Sequence, residues 1–179
     1  MESFIRIYGV DKKICDRLIK YHKLNTEYKK ELITSFSKDI KESVDVEFYN
    51  SSKDKTILDF FEILSANISK YLTEFQIKYP VITEFTNLIQ HYPKNGGFKV
   101  YHYENGSFST SHIKFVYMLY LNDVKDGGTH FKYQDITLEA KKGNLVIWPA
   151  DFTHTHKGVI SKTKEKYIVT GWFRMRQLP

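Results

Sequence analysis

Hydrophobic positions along this chain follow two different periods. From Thr56 to Lys78 the apolar side chains Leu58, Phe61, Ile63, Leu64, Ile68, Tyr71, Leu72 and Phe75 recur mostly every three or four residues, which predicts one long amphipathic helix. A shorter stripe of Ile14, Leu18 and Ile19 predicts a helix over Lys12 to Tyr21, with Asp11 as its N-cap and Cys15 packed as a small hydrophobe. Ser3 to Val10 reads as a short strand. Val44 to Tyr49 (VDVEFY) alternates as a strand before the turn residues Asn50, Ser51 and Ser52. Thr26 to Ser43 is polar and only weakly patterned.

Beyond Ile82 the period shortens. Alternating or apolar runs rich in Tyr, Val, Ile and Phe are separated by KNGG, ENGS, NDVKDGG, AKKGN and SKTKEK, all turn chemistry, so this half is a multi-stranded β structure. The expected fold is α+β: a β-barrel or sandwich whose sheet buries the apolar stripe of the N-terminal helices. At 179 residues, with no repeat or linker between the halves, the chain reads as a single domain, 1–179, in which 1–81 is mainly helical support and 82–179 the β core.

Charge narrows the partners. Lys and Arg number 27 against 21 Asp and Glu, a net +6, but only four of the cations are Arg. Arg is the residue best suited to bidentate phosphate and base recognition, so a diffuse Lys-rich surface makes nucleic acid a disfavoured though open partner. The N-terminus has no apolar leader core, and the longest apolar run, Phe115 to Leu121, is far short of the ~20 residues of a membrane span. A lone Cys15 permits no internal disulfide. Together these features lead us to expect a soluble, intracellular protein with no membrane partner, and they leave its oligomeric state undetermined.

Of the seven histidines, five lie after residue 100. His102 and Glu104 form an H-x-E at an expected strand end, where residues i and i+2 share a face and can converge on one metal ion. His154 or His156, some fifty residues later, can supply a third ligand. Two His and one carboxylate on one side of an ion is the facial triad of non-haem Fe(II) oxygenases, which leaves open positions for reactants. A tripeptide of this kind also arises by chance, so its neighbours matter.

The ordered segments QHYPKNGGFKVYHYEN, FVYMLYLNDVKDGGTHF, KKGNLVIWPADFTHTHKG and KEKYIVTGWF, from about Gln90 to Phe173, resemble the Fe(II)- and 2-oxoglutarate-dependent oxygenases of the prolyl 4-hydroxylase type. The resemblance implies a double-stranded β-helix, a jelly-roll or cupin-like barrel, with the metal in its mouth. It implies Fe(II), 2-oxoglutarate and O2 as cofactor and co-substrates, leaves ascorbate open as an accessory reductant, and implies hydroxylation of a C–H bond with release of succinate and CO2. The family's first two metal ligands fall on His102 and Glu104, with Glu where Asp is commoner. The family's basic co-substrate residue falls on Lys166, six positions before Trp172, ten after His156 and twelve after His154. That spacing favours His156 as the distal ligand, with His154 as the alternative.

Lys166 would then hold the distal carboxylate of 2-oxoglutarate as a point charge, where many relatives use an Arg fork. Tyr92, Tyr120 and Thr170 match positions that line or hydrogen-bond that pocket, and Trp172 closes its wall. Asp123, Gly127 and Gly128 match a strand and turn where the backbone crosses with no room for Cβ. His130 reads as structural or substrate-facing, and His22, His91 and His112 have no assigned role. The resemblance points to a peptide or protein prolyl substrate, with small molecules open. Two other readings compete: a non-catalytic cupin-like binding module, and a barrel enzyme using Zn or Mn without 2-oxoglutarate.

Overall fold

The computed structural model describes residues 2–26 and 37–176. Its organising element is β7 (Ile113–Tyr120), whose residues are all buried save the partly exposed Lys114. A strand whose alternate residues are all apolar must be covered on both faces. Phe115, Tyr117 and Leu119 enter one core with the helices, while Val116, Met118 and Tyr120 enter a second core on the opposite face.

β7 lies inside an antiparallel sheet ordered β1 (Arg6–Gly9), β10 (Asn144–Pro149), β7, β12 (Lys166–Met175), β5 (Thr86–Tyr92) and β3 (Val44–Tyr49), with β4 (Val81–Thr83) pairing the far end of β12. Facing it is a three-stranded sheet of β11 (His156–Val159), β8 (Val124–Phe131) and β9 (Ile136–Ala140). Val124, Phe131 and Ala140 of the smaller sheet share the second core with Val146, Trp148 and Ile168 of the larger. A two-stranded ribbon, β2 (Lys41–Glu42) with β6 (Gly97–Phe98), completes the described strands.

The helices α1 (Lys12–Thr26) and α2 (Lys55–Glu74) cover the outer face of the large sheet. Asp54 caps α2 by accepting from the backbone N–H of Thr56 and Ile57 at 2.7 and 3.3 Å. The helix stops short of the expected Lys78. Gln76 takes a left-handed φ of 53°, and the N–H groups of Gln76 and Ile77 bond back to the carbonyls of Thr73 and Leu72, a closed C-terminal cap that apolar spacing does not reveal. The buried stripe is also offset from the expected one. Ile57, Phe60, Leu64, Ile68 and Tyr71 face the sheet, whereas Leu58 is 46% exposed. Each such buried side chain contributes about 1.5–3 kcal/mol. α1 runs past the expected Tyr21 and buries Ile14, Cys15 and Leu18. Part of the weakly patterned stretch Thr26 to Ser43, residues 27–36, lies outside the described residues.

β8 crosses β9 with a register shift between Val124 and Gly128. Gly128 has φ +141°, and a Cβ there would sit 2.1 Å from the Leu138 carbonyl oxygen. Gly128→Ala is therefore expected to destabilise the fold by about 3 kcal/mol or more, from positive-φ strain plus a backbone clash. Urea unfolding of the variant and the parent, compared at their midpoints, measures it.

Candidate active site

Between the two sheets lies a cavity of about 480 Å³, lined by side chains from both sheets and from the β2–β6 ribbon. Its chemistry gathers at one end. His102, Glu104 and His156 each offer one ligand atom, and these atoms lie within 4.8 Å of one another. The H-x-E is not on a regular strand. His102 forms an isolated antiparallel bridge with His156, and Glu104 is held by its own N–H bonding to the Ala150 carbonyl at 2.9 Å. The extended backbone between them still directs both side chains to one side.

Each imidazole is oriented by its other nitrogen. Nδ1 of His102 is 3.1 Å from the Val100 carbonyl and Nδ1 of His156 is 2.9 Å from that of His154. A carbonyl only accepts, so Nδ1 carries the proton in both rings and each Nε2 is a free lone pair. Both Nε2 atoms are 3.7 Å from the same Glu104 oxygen. The rings are further packed in place: Phe98 stacks on His102 at 3.8 Å between centroids, and Trp148 meets His156 edge-on at 5.1 Å.

Burial sets the electrostatics of this corner. Burial, reinforced by the neighbouring His102, pushes His156 down to about 3, and burial lowers His102 as well. Burial pushes the Glu104 carboxyl up to about 7, against the opposing pull of the Trp172 indole N–H and Lys41. Two neutral imidazoles and a reluctant carboxylate with converging lone pairs are a donor set that a divalent cation completes. The residues therefore fit a metal ion. Trp172 donates from Nε1 to the second Glu104 oxygen at 2.8 Å, so besides walling the cavity it fixes the carboxylate's rotation.

His154 is placed elsewhere. It ends a short turn, Phe152–His154, with Nε2 2.9 Å from the Ser3 carbonyl and Nδ1 2.8 Å from Thr153 Oγ1, so both ring nitrogens are engaged away from the cluster. Lys166 does not belong to the exposed SKTKEK turn that precedes it. As the first residue of β12 it is buried, with Nζ donating to the carbonyls of Gly128 and Val159 at 3.2 and 3.1 Å. Its ammonium sits 5.5 Å above the Tyr92 ring, and burial pushes it down to about 8.

Tyr92, Tyr120, Thr170 and Trp172 all line this cavity. Tyr92 donates to Gln90 Oε1 at 2.8 Å, Tyr120 to Thr129 Oγ1 at 2.8 Å across the sheets, and Thr170 to the Tyr117 carbonyl at 3.3 Å. Asp126, in the segment before Gly128, accepts from the hydroxyls of Ser161 and Thr163 and so anchors the loop that leads to Lys166. His112 meets Glu84, His91 meets Glu165 and His22 meets the Val44 carbonyl, each at 2.9 Å and each away from the cavity.

Sequence reasoning missed Lys41. It is 6% exposed, lines the cavity, and is held by Asp45, which also accepts from Gln90. Nothing in the weakly patterned segment around it signals this, because the β2–β6 pairing that brings it in joins residues more than fifty positions apart.

Residues 88–174 match the family described as the 2OG-Fe(II) oxygenase superfamily. That match, together with the His-Glu-His cluster, supports a 2-oxoglutarate- and Fe(II)-dependent dioxygenase, with Fe(II), 2-oxoglutarate and O2 as cofactor and co-substrates. No curated protein matches the sequence significantly. Among solved structures it is similar to the viral collagen prolyl hydroxylase of Paramecium bursaria Chlorella virus-1 in complex with 2OG (TM-score 0.75, 17% identity, 97% of each chain covered). It is also similar to a prolyl-4-hydroxylase of Pseudomonas putida (TM-score 0.73, 13% identity, 97% of this chain and 92% of that one). A prolyl hydroxylase of Trichoplax adhaerens, in complex with a peptide fragment of the hypoxia inducible factor oxygen degradation domain, matches with TM-score 0.75 and 10% identity over 97% of this chain and 84% of that one. At these identities the likeness is one of fold.

Trp172→Phe keeps the ring's bulk and removes the only indole donor to Glu104. The expected outcome is a folded protein whose divalent-metal affinity falls about 10–100-fold, the usual cost of losing a group that orients a ligand. Isothermal titration with a divalent ion, beside a circular dichroism spectrum, checks it.

Proposed function

We propose that this chain hydroxylates prolyl residues of a peptide or protein, with His102, Glu104 and His156 as the ligands of Fe(II) and Lys166 as the anchor of the distal carboxylate of 2-oxoglutarate. The observation that carries this reading is the meeting, in one cavity, of the His-Glu-His cluster with a buried ammonium that no carboxylate contacts among the described residues. The larger and smaller sheets read as the two sheets of a double-stranded β-helix, and the helices, backing the larger sheet, as part of the same single domain.

Bound at this cluster with 2-oxoglutarate, Fe(II) supplies the activation of O2 that hydroxylates an unactivated C–H bond while 2-oxoglutarate goes to succinate and CO2. The chain supplies orientation and shelter. His102 and His156 present Nε2 because backbone carbonyls hold their Nδ1 protons, and Trp172 keeps Glu104 turned inward. Lys166 offers a buried positive charge to the cavity, where its attraction for a carboxylate is stronger than in bulk water. Leu88, Met118, Trp148 and Ile168 form the walls that keep water out. The prolyl and peptide character of the substrate is supported by the fold's likeness to prolyl hydroxylases, one of them bound to a peptide. Among the described residues no helix is long and apolar enough to cross a membrane.

Anaerobic titration with Fe(II) and 2-oxoglutarate tests the site directly through its weak visible metal-to-ligand charge-transfer band. The band is expected in the parent and in His154→Ala, lost in His156→Ala, and weakened in Lys166→Ala; a band that survives His156→Ala and vanishes with His154→Ala overturns the ligand assignment.

Lys166 also sets a pH dependence. Its ammonium is the binding form, and burial lowers its pKa to about 8, so the charge is present below that pH and lost above it. The Kd for 2-oxoglutarate is expected to be flat below about 8 and to rise about tenfold per pH unit above it. Lys166→Arg, always charged, flattens the profile.

A further inference from the structure

The outer face of the three-stranded sheet carries a cluster that the pocket chemistry does not use. Phe131 and His156 pair across β8 and β11 and face inward, so the next pair along, His130 and Lys157, faces outward. Tyr101, the residue before His102, reaches the same surface, its hydroxyl 2.9 Å from His130 Nδ1. Lys157 Nζ sits 4.6 Å from the centre of the Tyr101 ring, and Lys132 Nζ lies 5.7 Å from that ring and 5.4 Å from Tyr133. Tyr101 is 40% and Tyr133 61% exposed. Asp135 lies 3.8 Å from His130 Nε2, and among the described residues neither Lys132 nor Lys157 forms an ion pair.

We infer that this patch is an exosite for an acidic stretch of the polypeptide substrate, an inference that rests on the reading of a peptide substrate. Two unneutralised ammonium groups on a chain of net charge +6 complement carboxylates. The aromatic faces hold the lysine stems and heads in place, so less side-chain entropy is lost when a carboxylate arrives. Position supports the role as well: Tyr101 and Lys157 are the chain neighbours of His102 and His156, so the patch is one backbone thickness from the metal-holding side chains. A nucleic acid fits less well. Lys157 and Lys132 already sit against the Tyr101 ring and compete with base stacking, and among the described residues the patch holds no Arg fork for phosphate.

The test uses the full chain loaded anaerobically with Fe(II) and 2-oxoglutarate. Fluorescence anisotropy follows its binding to a fluorescein-labelled Glu-Gly repeat peptide, with a Lys-Gly repeat peptide and an oligothymidine of equal length as comparators. The Glu-Gly peptide is expected to bind, more weakly as salt is raised, and the Lys-Gly peptide not to bind. A Lys132→Glu/Lys157→Glu double variant is expected to bind the acidic peptide at least about tenfold more weakly, and the neutral Lys132→Gln/Lys157→Gln variant to fall between. Equal binding by all three proteins, or oligothymidine binding tighter than the acidic peptide, overturns the exosite. The charge-transfer band of the same parent sample reports the pocket separately. A band without peptide binding sinks the exosite alone, while peptide binding without a band sinks the metal assignment alone.

Discussion

The pocket depends on two reciprocal backbone hydrogen bonds. His102 N–H donates to the His156 carbonyl and His156 N–H to that of His102, both at 2.9 Å. This bridge ties an irregular segment, which belongs to no sheet, to the first residue of β11. It is this bridge that sets the two histidines side by side, while the Ala150 carbonyl and the Trp172 indole hold Glu104 beside them. Because β11 is paired through β8 to β9, the bridge ties His102 into the hydrogen-bond network of the smaller sheet.

Around that bridge the chain buries two ionisable groups that a ligand would stabilise further. Glu104 is held in a site that raises its pKa to about 7, and Lys166 in one that lowers its pKa to about 8. Both shifts come first from burial, and among the described residues neither group meets a charged partner of opposite sign. Ordinary core packing favours apolar residues at such positions, since an uncompensated buried charge is strongly destabilising. A cation beside Glu104 and an anion beside Lys166 would relieve both at once, which matches the cofactor and co-substrate of the superfamily. Lys41 differs, because Asp45 already balances it.

Much of this was legible in the chain. The β strands of the second half announce themselves through VIWP, FVYMLY and YIVTGW, bounded by Gly, Asn and Lys turns, and the H-x-E marks itself by the two-residue period of extended backbone. The helix over Thr56 to Lys78 was readable too, though its buried face and its end were not. Those depend on which side the sheet approaches and on a left-handed Gln76, neither of which leaves a mark in apolar spacing. Lys41 was invisible because its burial comes from a ribbon partner far along the chain.

The sequence by itself determined the identity of the chemistry-bearing side chains, the strand periods and the turns, because these follow from residue type and local spacing. Only the tertiary structure separates the surroundings of His154 from those of His156. The two residues are two positions apart and alike in composition, yet a short turn sends one ring to the Ser3 carbonyl while strand pairing turns the other toward Glu104. The same holds for Trp172, whose indole meets Glu104 across sixty-eight residues of chain. Which ring faces which carboxylate is set by register between distant segments, and register is a property of the packed sheet rather than of any stretch of it.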